Sequence, residues 1–231
     1  MLIYSHRGYS GKYPENTMLA FEEAIRVGSS GIELDVQMTS DGSVVIFHDE
    51  GLERITGAKG LIKDISYDKL PRTRDGNHPI PLLSEYLAWV RTKDIITNIE
   101  IKSAVVYYPG LEEKVASLIR QYRVDEHTLI SSFNPLSLLR TREYAPHLKL
   151  AFLVESYGFS GFDHLCSAFG FEYFHPDISI VTEELVASFH RRGIHVNTYT
   201  VDSLKDARTA QKAGVDGIFT NEPVRMKAFF S

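Results

Sequence analysis

Short apolar runs alternate with longer amphipathic stretches along almost the whole chain. The runs fall at 2–5, 32–36, 44–47, 95–101, 128–133, 148–154, 173–174, 195–201 and 217–220. Between them, apolar positions return at helical spacing over 19–28, 83–90, 111–122, 136–144, 162–169, 182–192 and 203–213, which predicts strands alternating with helices. Thr182 and Ser203 suit helix N-caps, and Gly193 and Gly214 suit helix ends. Alternating β and α elements demand a parallel sheet covered by helices. This many units in one chain favours a closed (β/α)8 TIM barrel over an open doubly wound sheet. The candidate strands exceed the eight places of such a barrel, so one must lie outside it or fail to form.

One stretch breaks the rhythm. Between Asp49 and about Leu82, Gly51, Gly57, Gly60, Pro71, Gly76, Pro79 and Pro81 cut the chain into turns and short pieces. We read 50–82 as a small insertion in a single barrel domain spanning 1–231. No fixed-period repeat and no low-complexity segment is visible.

Composition narrows the function classes. The net charge of −5 argues against a nucleic-acid partner, which needs a basic surface. Lys and Arg are scattered, without a polybasic run. No apolar run is long enough to cross a membrane, and the N-terminus does not read as a secretory signal, so a cytoplasmic location is expected. The single cysteine, Cys166, excludes an intrachain disulfide and reads as core filler in a helix. The sequence sets no oligomeric state.

Charge collects at the ends of the apolar runs. His6, Glu33, Asp35, His48, Glu100 and Lys102 all lie at or near the C-terminal ends of predicted strands, where a parallel barrel carries its active site. Side chains alternate along a strand, so Glu33 and Asp35 share a face, as do Glu100 and Lys102. Each block alone has a bland explanation: a solvated Glu-x-Asp edge, a structural Glu–Lys pair, a satisfied core histidine. Together they land on one face of one barrel. Three carboxylates there repel one another unless a cation or protons neutralise them, and all-oxygen ligation favours Mg²⁺ or Ca²⁺ over zinc.

The blocks His6-Arg7-Gly8, Pro14-Glu15-Asn16-Thr17, Glu33-Leu34-Asp35-Val36, His48-Asp49 and Glu100-Ile101-Lys102 resemble the glycerophosphodiester phosphodiesterase family. The likeness extends to Leu52-x-Arg54-x-Thr56-Gly57, Ser132-Phe133 and Gly214–Thr220, and so spans nearly the whole chain. It implies a distorted (β/α)8 barrel that hydrolyses glycerophosphodiesters to sn-glycerol 3-phosphate and an alcohol. It also implies that Glu33, Asp35 and Glu100 hold one divalent cation, that His6 and His48 act in acid–base catalysis, and that Arg7, Asn16 and Lys102 lie near the metal and phosphate. Asn16 has a competing reading as a helix cap. Glu15 is expected to support Arg7, and Asp49 to orient neighbouring backbone.

Two features depart from the family pattern or go beyond it. Tyr199-Thr200-Val201-Asp202 stands where family members usually carry Trp-Thr-Val-Asn, which points to an altered substrate pocket walled by Tyr199. The segment 155–162 alternates aromatics with glycine and serine, and we expect a lip over the leaving alcohol. Tyr107 and Tyr108 are weaker candidates for the same wall. Two alternatives accompany the main reading: a lipid-directed lysophospholipase D, and a non-catalytic phosphate-binding barrel. The second is disfavoured because every expected acid, base and ligand is present.

Overall fold

The computed structural model describes residues 1–156, 158 and 161–231. Its strands are β1 (Leu2–Ser5), β2 (Gly31–Met38), β3 (Val44–Ile46), β4 (Ile96–Ile101), β5 (Thr128–Ser132), β6 (Lys149–Val154), β7 (Tyr173–Pro176), β8 (His195–Thr198) and β9 (Gly217–Thr220). Eight of them close a parallel ring in the order β1-β9-β8-β7-β6-β5-β4-β2, sealed by pairing of β1 with β2. The excess strand is β3. It runs antiparallel beside the far end of β2, with Val36 opposite Ile46 and Met38 opposite Val44, outside the ring.

The helices are α1 (Met18–Arg26), α2 (Glu53–Thr56), α3 (Leu83–Val90), α4 (Leu111–Tyr122), α5 (Pro135–Tyr144), α6 (Phe162–Phe169), α7 (Glu183–His190), α8 (Leu204–Ala213) and α9 (Pro223–Phe230). The expected caps form. Thr182 Oγ1 accepts from Leu185 N and Ser203 Oγ from Asp206 N, each at 3.1 Å, and such caps stabilise a helix by about 1 kcal/mol. Gly214 ends α8 in the left-handed conformation that glycine adopts without penalty. The final helix, α9, lies beyond the last element read from the sequence. Pro223 is well suited to its first turn, but Val224, Met226, Phe229 and Phe230 draw no clear stripe. Only packing against the barrel reveals which of them, such as Met226, is buried.

Strand alternation divides the barrel's contents. Ile32, Leu34 and Val36 of β2, with Ile99 and Ile101 of β4, join the helices in the main apolar cluster. Glu33, Asp35, Asn98 and Glu100 occupy the alternate positions and face away from it. Gly31 of β2 has no room for a side chain: a Cβ there would lie 2.3 Å from the buried ring of Tyr4 on β1. Cys166 is buried in α6, as expected of core filler. The segment between β3 and α3 builds a small cluster of its own from Phe47, Leu52, Ile62 and Ile80 against Val45 of β3. Besides α2 it holds two short 3₁₀ turns, Ile62–Asp64 and Tyr67–Lys69.

Candidate active site

Register builds the centre of the site. In the β2–β4 pair, Asp35 stands opposite Glu100 and Glu33 opposite Asn98. Glu33, Asp35 and Glu100 each present one oxygen within 4.8 Å of the others'. All three are buried. Burial, reinforced by the charges of Asp35 and Glu100, pushes the Glu33 carboxyl well above the usual carboxylate range. Burial raises Glu100 as well, although Lys102 pulls the other way. At Asp35 burial is overcome by Arg7, His48, Lys102 and a hydrogen bond from Asn16, and its carboxyl is held low.

These residues fit a hard divalent cation. The donors are oxygens only, Asp35 Oδ1 is buried without a hydrogen-bond partner, and the neighbouring cations do not offset the repulsion felt by Glu33. Lys102 Nζ lies 3.0 Å from Glu100 and 4.0 Å from Asp35.

The turn after β1 carries His6 and Arg7. Arg7 adopts a left-handed backbone (φ 56°) and points its own N–H at Glu33 Oε2, 2.8 Å away. Gly8 follows at φ 78°, where a Cβ would meet the Ala20 backbone at 2.6 Å, so the motif closes tightly on α1 only with glycine. Arg7 Nη1 donates to Glu15 at 2.9 Å, as expected, and Nε lies 3.5 Å from Asp35. Asn16, also left-handed (φ 56°), donates from Nδ2 to Asp35 Oδ2 at 2.8 Å. The cap of α1 is Thr17, not Asn16. Two left-handed non-glycine residues in one site mark backbone held by its surroundings.

The histidines have different supports. His6 Nδ1 lies 2.9 Å from Asn221 Oδ1, and its Nε2 lies 4.0 Å from Glu33. Burial, then the charge of Arg7, pushes its pKa down to about 4. His48 Nδ1 lies 2.7 Å from Asp49 Oδ1, and its Nε2 lies 3.2 Å from Lys102 Nζ. Asp49 therefore orients the His48 ring, rather than the neighbouring backbone that the sequence suggested. Arg54 of α2 clamps Asp49 and Glu15 together, donating to each at 2.6–2.8 Å. The Leu52–Gly57 motif thus fastens the inserted segment to the back of both histidine-bearing turns. Gln37 adds a second fastening, with Nε2 between 2.7 and 3.1 Å from the carbonyls of Phe47, His48 and Asp49.

A cavity of about 310 Å³ opens over these groups. His6, Arg7, Glu33, His48, Glu100, Lys102 and Tyr199 line it. Asp35 and Asn16 stand behind its wall, bonded to each other. Tyr199 meets Phe133 edge to face, 6.0 Å between ring centres, and its buried hydroxyl has no hydrogen-bond partner. Tyr107 and Tyr108 do not line the cavity. Tyr108 is buried and donates to Gln37 at 2.7 Å, while Tyr107 is exposed beneath Arg140. Of the expected lip, Tyr157, Phe159 and Ser160 lie outside the described residues; Glu155 lines the cavity.

Comparison with known proteins decides the family. The profile of the glycerophosphoryl diester phosphodiesterase family matches residues 6–225. The chain belongs to this family. A glycerophosphodiester phosphodiesterase of Bacillus altitudinis is 40% identical over 96% of this chain and 95% of its own. One from Caldanaerobacter subterraneus subsp. tengcongensis is 39% identical over 96% and 94%. A phosphodiesterase of Oleispira antarctica, solved in complex with the product sn-glycerol-3-phosphate, shares the fold at a TM-score of 0.87 and 24% identity, over 100% of this chain and 96% of that one.

Within this phosphodiesterase-family barrel, several site residues escaped the sequence reading. Asn221 follows β9, whose Gly-x-Asp-Gly approach is plain in the sequence, but nothing local marks the asparagine as the partner of His6. Asn98, Ser131 and His175 also line the cavity: Asn98 shares its strand with Glu100, Ser131 sits inside the 128–133 run, and His175 follows the 173–174 run by one residue. Their signal was the alternation itself, since each occupies a position that faces the barrel interior.

Proposed function

We propose that the protein hydrolyses glycerophosphodiesters to sn-glycerol 3-phosphate and an alcohol, using Mg²⁺ or Ca²⁺ held by Glu33, Asp35 and Glu100. The observation that carries this reading is the convergence of Glu33, Glu100, two histidines, Arg7 and Lys102 on one cavity, with an Asp35 oxygen within 4.8 Å of both glutamates just behind its wall, in a chain of this family. When bound, the cation supplies Lewis-acid stabilisation to the phosphate oxygens.

Arg7 and Lys102 add fixed positive charge to the same region. They are already anchored by Glu15, Asp35 and Glu100, so little reorganisation accompanies the rise of charge on the phosphate. His6 and His48 divide the proton work: one accepts the proton of the attacking hydroxyl and the other supplies one to the departing alkoxide. The glycerol hydroxyl next to the phosphate is the nucleophile in this scheme, giving a cyclic phosphate that water then opens. Among the described residues, no serine or cysteine side chain hydrogen-bonds to the ring of His6 or His48 to take that part. Tyr199 and Phe133 wall the pocket for the substrate's organic half.

The test is release of glycerol 3-phosphate from a panel of glycerophosphodiesters, with Mg²⁺ or Ca²⁺ and with chelator. Wild type should release it only in the presence of metal, while His6→Ala and Glu100→Gln should be inactive. Absence of release from every diester with either metal would overturn the assignment.

A further inference from the structure

Three residues follow the C-terminal ends of three adjacent strands. His6 comes after β1, Asn221 after β9, and Asp202 four residues past the end of β8. They form one chain of contacts. Asp202 Oδ1 accepts from Asn221 N at 2.8 Å and from Thr220 Oγ1 at 3.1 Å, and its Oδ2 accepts from Asn221 Nδ2 at 2.6 Å.

A carboxylate accepts hydrogen bonds and does not donate them. The Asn221 atom facing Asp202 must therefore be the amide nitrogen, and the carbonyl oxygen must face the other way. That oxygen lies 2.9 Å from His6 Nδ1, and Ser10 Oγ lies 2.7 Å from it as well as 2.7 Å from the His6 carbonyl. An amide oxygen can only accept, so His6 Nδ1 carries a hydrogen. In the neutral ring the lone pair is then on Nε2, the nitrogen on the Glu33 side of the ring.

We propose that Asp202 is a positioning residue: by fixing the direction of the Asn221 amide, it sets the tautomer of His6 and makes Nε2 the site's proton acceptor. The inference rests on the phosphodiesterase reading and deepens it, because it assigns the accepting role to His6 and leaves the donating role to His48. His48 is backed differently, with the Asp49 carboxylate directly on Nδ1. To give a proton, His48 must enter the step with a hydrogen on Nε2, so the Lys102 ammonium, 3.2 Å from that nitrogen here and able only to donate, must first turn to the phosphate. The proton path balances: the glycerol hydroxyl gives its proton to His6 Nε2, oxygen bonds to phosphorus, the bond from phosphorus to the leaving oxygen breaks, and His48 protonates that oxygen.

In D202N, an amide nitrogen would confront Asn221 Nδ2, and Asn221 would gain by turning its NH₂ toward His6. The reciprocal double variant, D202N with N221D, restores an amide donor facing a carboxylate, and an oxygen facing His6.

The test combines ¹⁵N NMR of the His6 imidazole, kinetics on a cleaved glycerophosphodiester and melting temperatures. Wild type should show the Nδ1–H tautomer. D202N should shift His6 toward Nε2–H and lower kcat about tenfold or more with KM changed less than about twofold, because proton transfer rather than binding is impaired. The double variant should recover the Nδ1–H tautomer and most of kcat. Finding wild-type His6 as Nε2–H would overturn the proposal. So would a folded D202N with unchanged kcat, or a double variant that melts like wild type without regaining turnover. If D202N fails to fold, the wild-type spectrum and the double variant still decide. The spectrum requires no substrate, so an inactive protein would sink the functional reading while leaving the tautomer measurement to decide this one.

Discussion

The barrel interior holds two polar clusters that solve burial in opposite ways. Asn98, Ser131, His175 and Asn197 are neutral and partner internally: Asn98 Nδ2 donates to Ser131 Oγ at 2.9 Å, and Asn197 Nδ2 meets His175 Nε2 at 3.2 Å. Their unmet atoms (Asn98 Oδ1, His175 Nδ1 and Asn197 Oδ1) cost missed hydrogen bonds, about 1–3 kcal/mol each, and nothing more. Glu33, Asp35 and Glu100 cannot settle that way. Arg7 and Lys102 bring two positive charges, yet Glu33 and Glu100 are still held above their ordinary range. The neutral cluster is a finished piece of barrel. The charged cluster is complete only with a cation or a proton.

The sharpest way to break that contrast is Glu33→Gln. Glutamine keeps the shape and can still accept the Arg7 N–H, but it removes one ligand charge. Turnover should fall about a thousandfold, since a lost metal interaction is worth several kcal/mol of transition-state stabilisation. The metal-free protein should nevertheless melt higher than wild type, by roughly 2–4 °C for about 1 kcal/mol of relieved repulsion and burial. Parallel melts in chelator and activity assays check both halves. A variant that is both inactive and less stable would place Glu33 among ordinary structural residues.

The second effect concerns the cation itself. If the charged cluster binds it, Mg²⁺ or Ca²⁺ at about a hundred times its Kd stabilises the folded chain by about 2.7 kcal/mol. For a domain of this size that corresponds to a rise of roughly 5–10 °C. The Glu33→Gln protein should gain much less. Equal shifts in both proteins, read by thermal unfolding with and without chelator, would locate the binding elsewhere.

Much of this was legible before any coordinates. Alternation in 32–36 and 95–101 separates Ile32, Leu34 and Ile99 from Glu33, Asp35 and Glu100, and parallel topology carries those acids to one mouth. The pairing of residues distant in sequence was not legible. Nothing local to Asp35 announces that Glu100 will be its strand neighbour, or that Asn221 will back His6. The ends of the β3 run were placed well, but its antiparallel course along β2 is a matter of registry. Asp49 shows the same limit: its adjacency to His48 was plain, whereas its use as the ring's partner needed Arg54, delivered by the inserted segment. The α9 helix was missed because its burial comes from the barrel and not from its own periodicity.

The smallest expected effect probes the neutral cluster at its one weak point. His175 is fully buried, and burial pushes its pKa down to about 3. The unfolded chain keeps a histidine near 6.5, so between those values the unfolded state binds the extra proton. His175 therefore costs no stability above about pH 6.5, and stability is lost progressively as pH falls through the window toward 3. From pH 7 to pH 5 the loss attributable to this residue is about 2 kcal/mol. His175→Gln retains a polar side chain that does not titrate. Urea unfolding of both proteins at pH 7 and pH 5 gives the difference, and contributions common to both, His6 among them, cancel. The wild type should lose about 2 kcal/mol more than the variant over that interval. Equal losses would mean that the neutral cluster tolerates a buried charge, and the contrast between the two clusters would then lie in ligand chemistry alone.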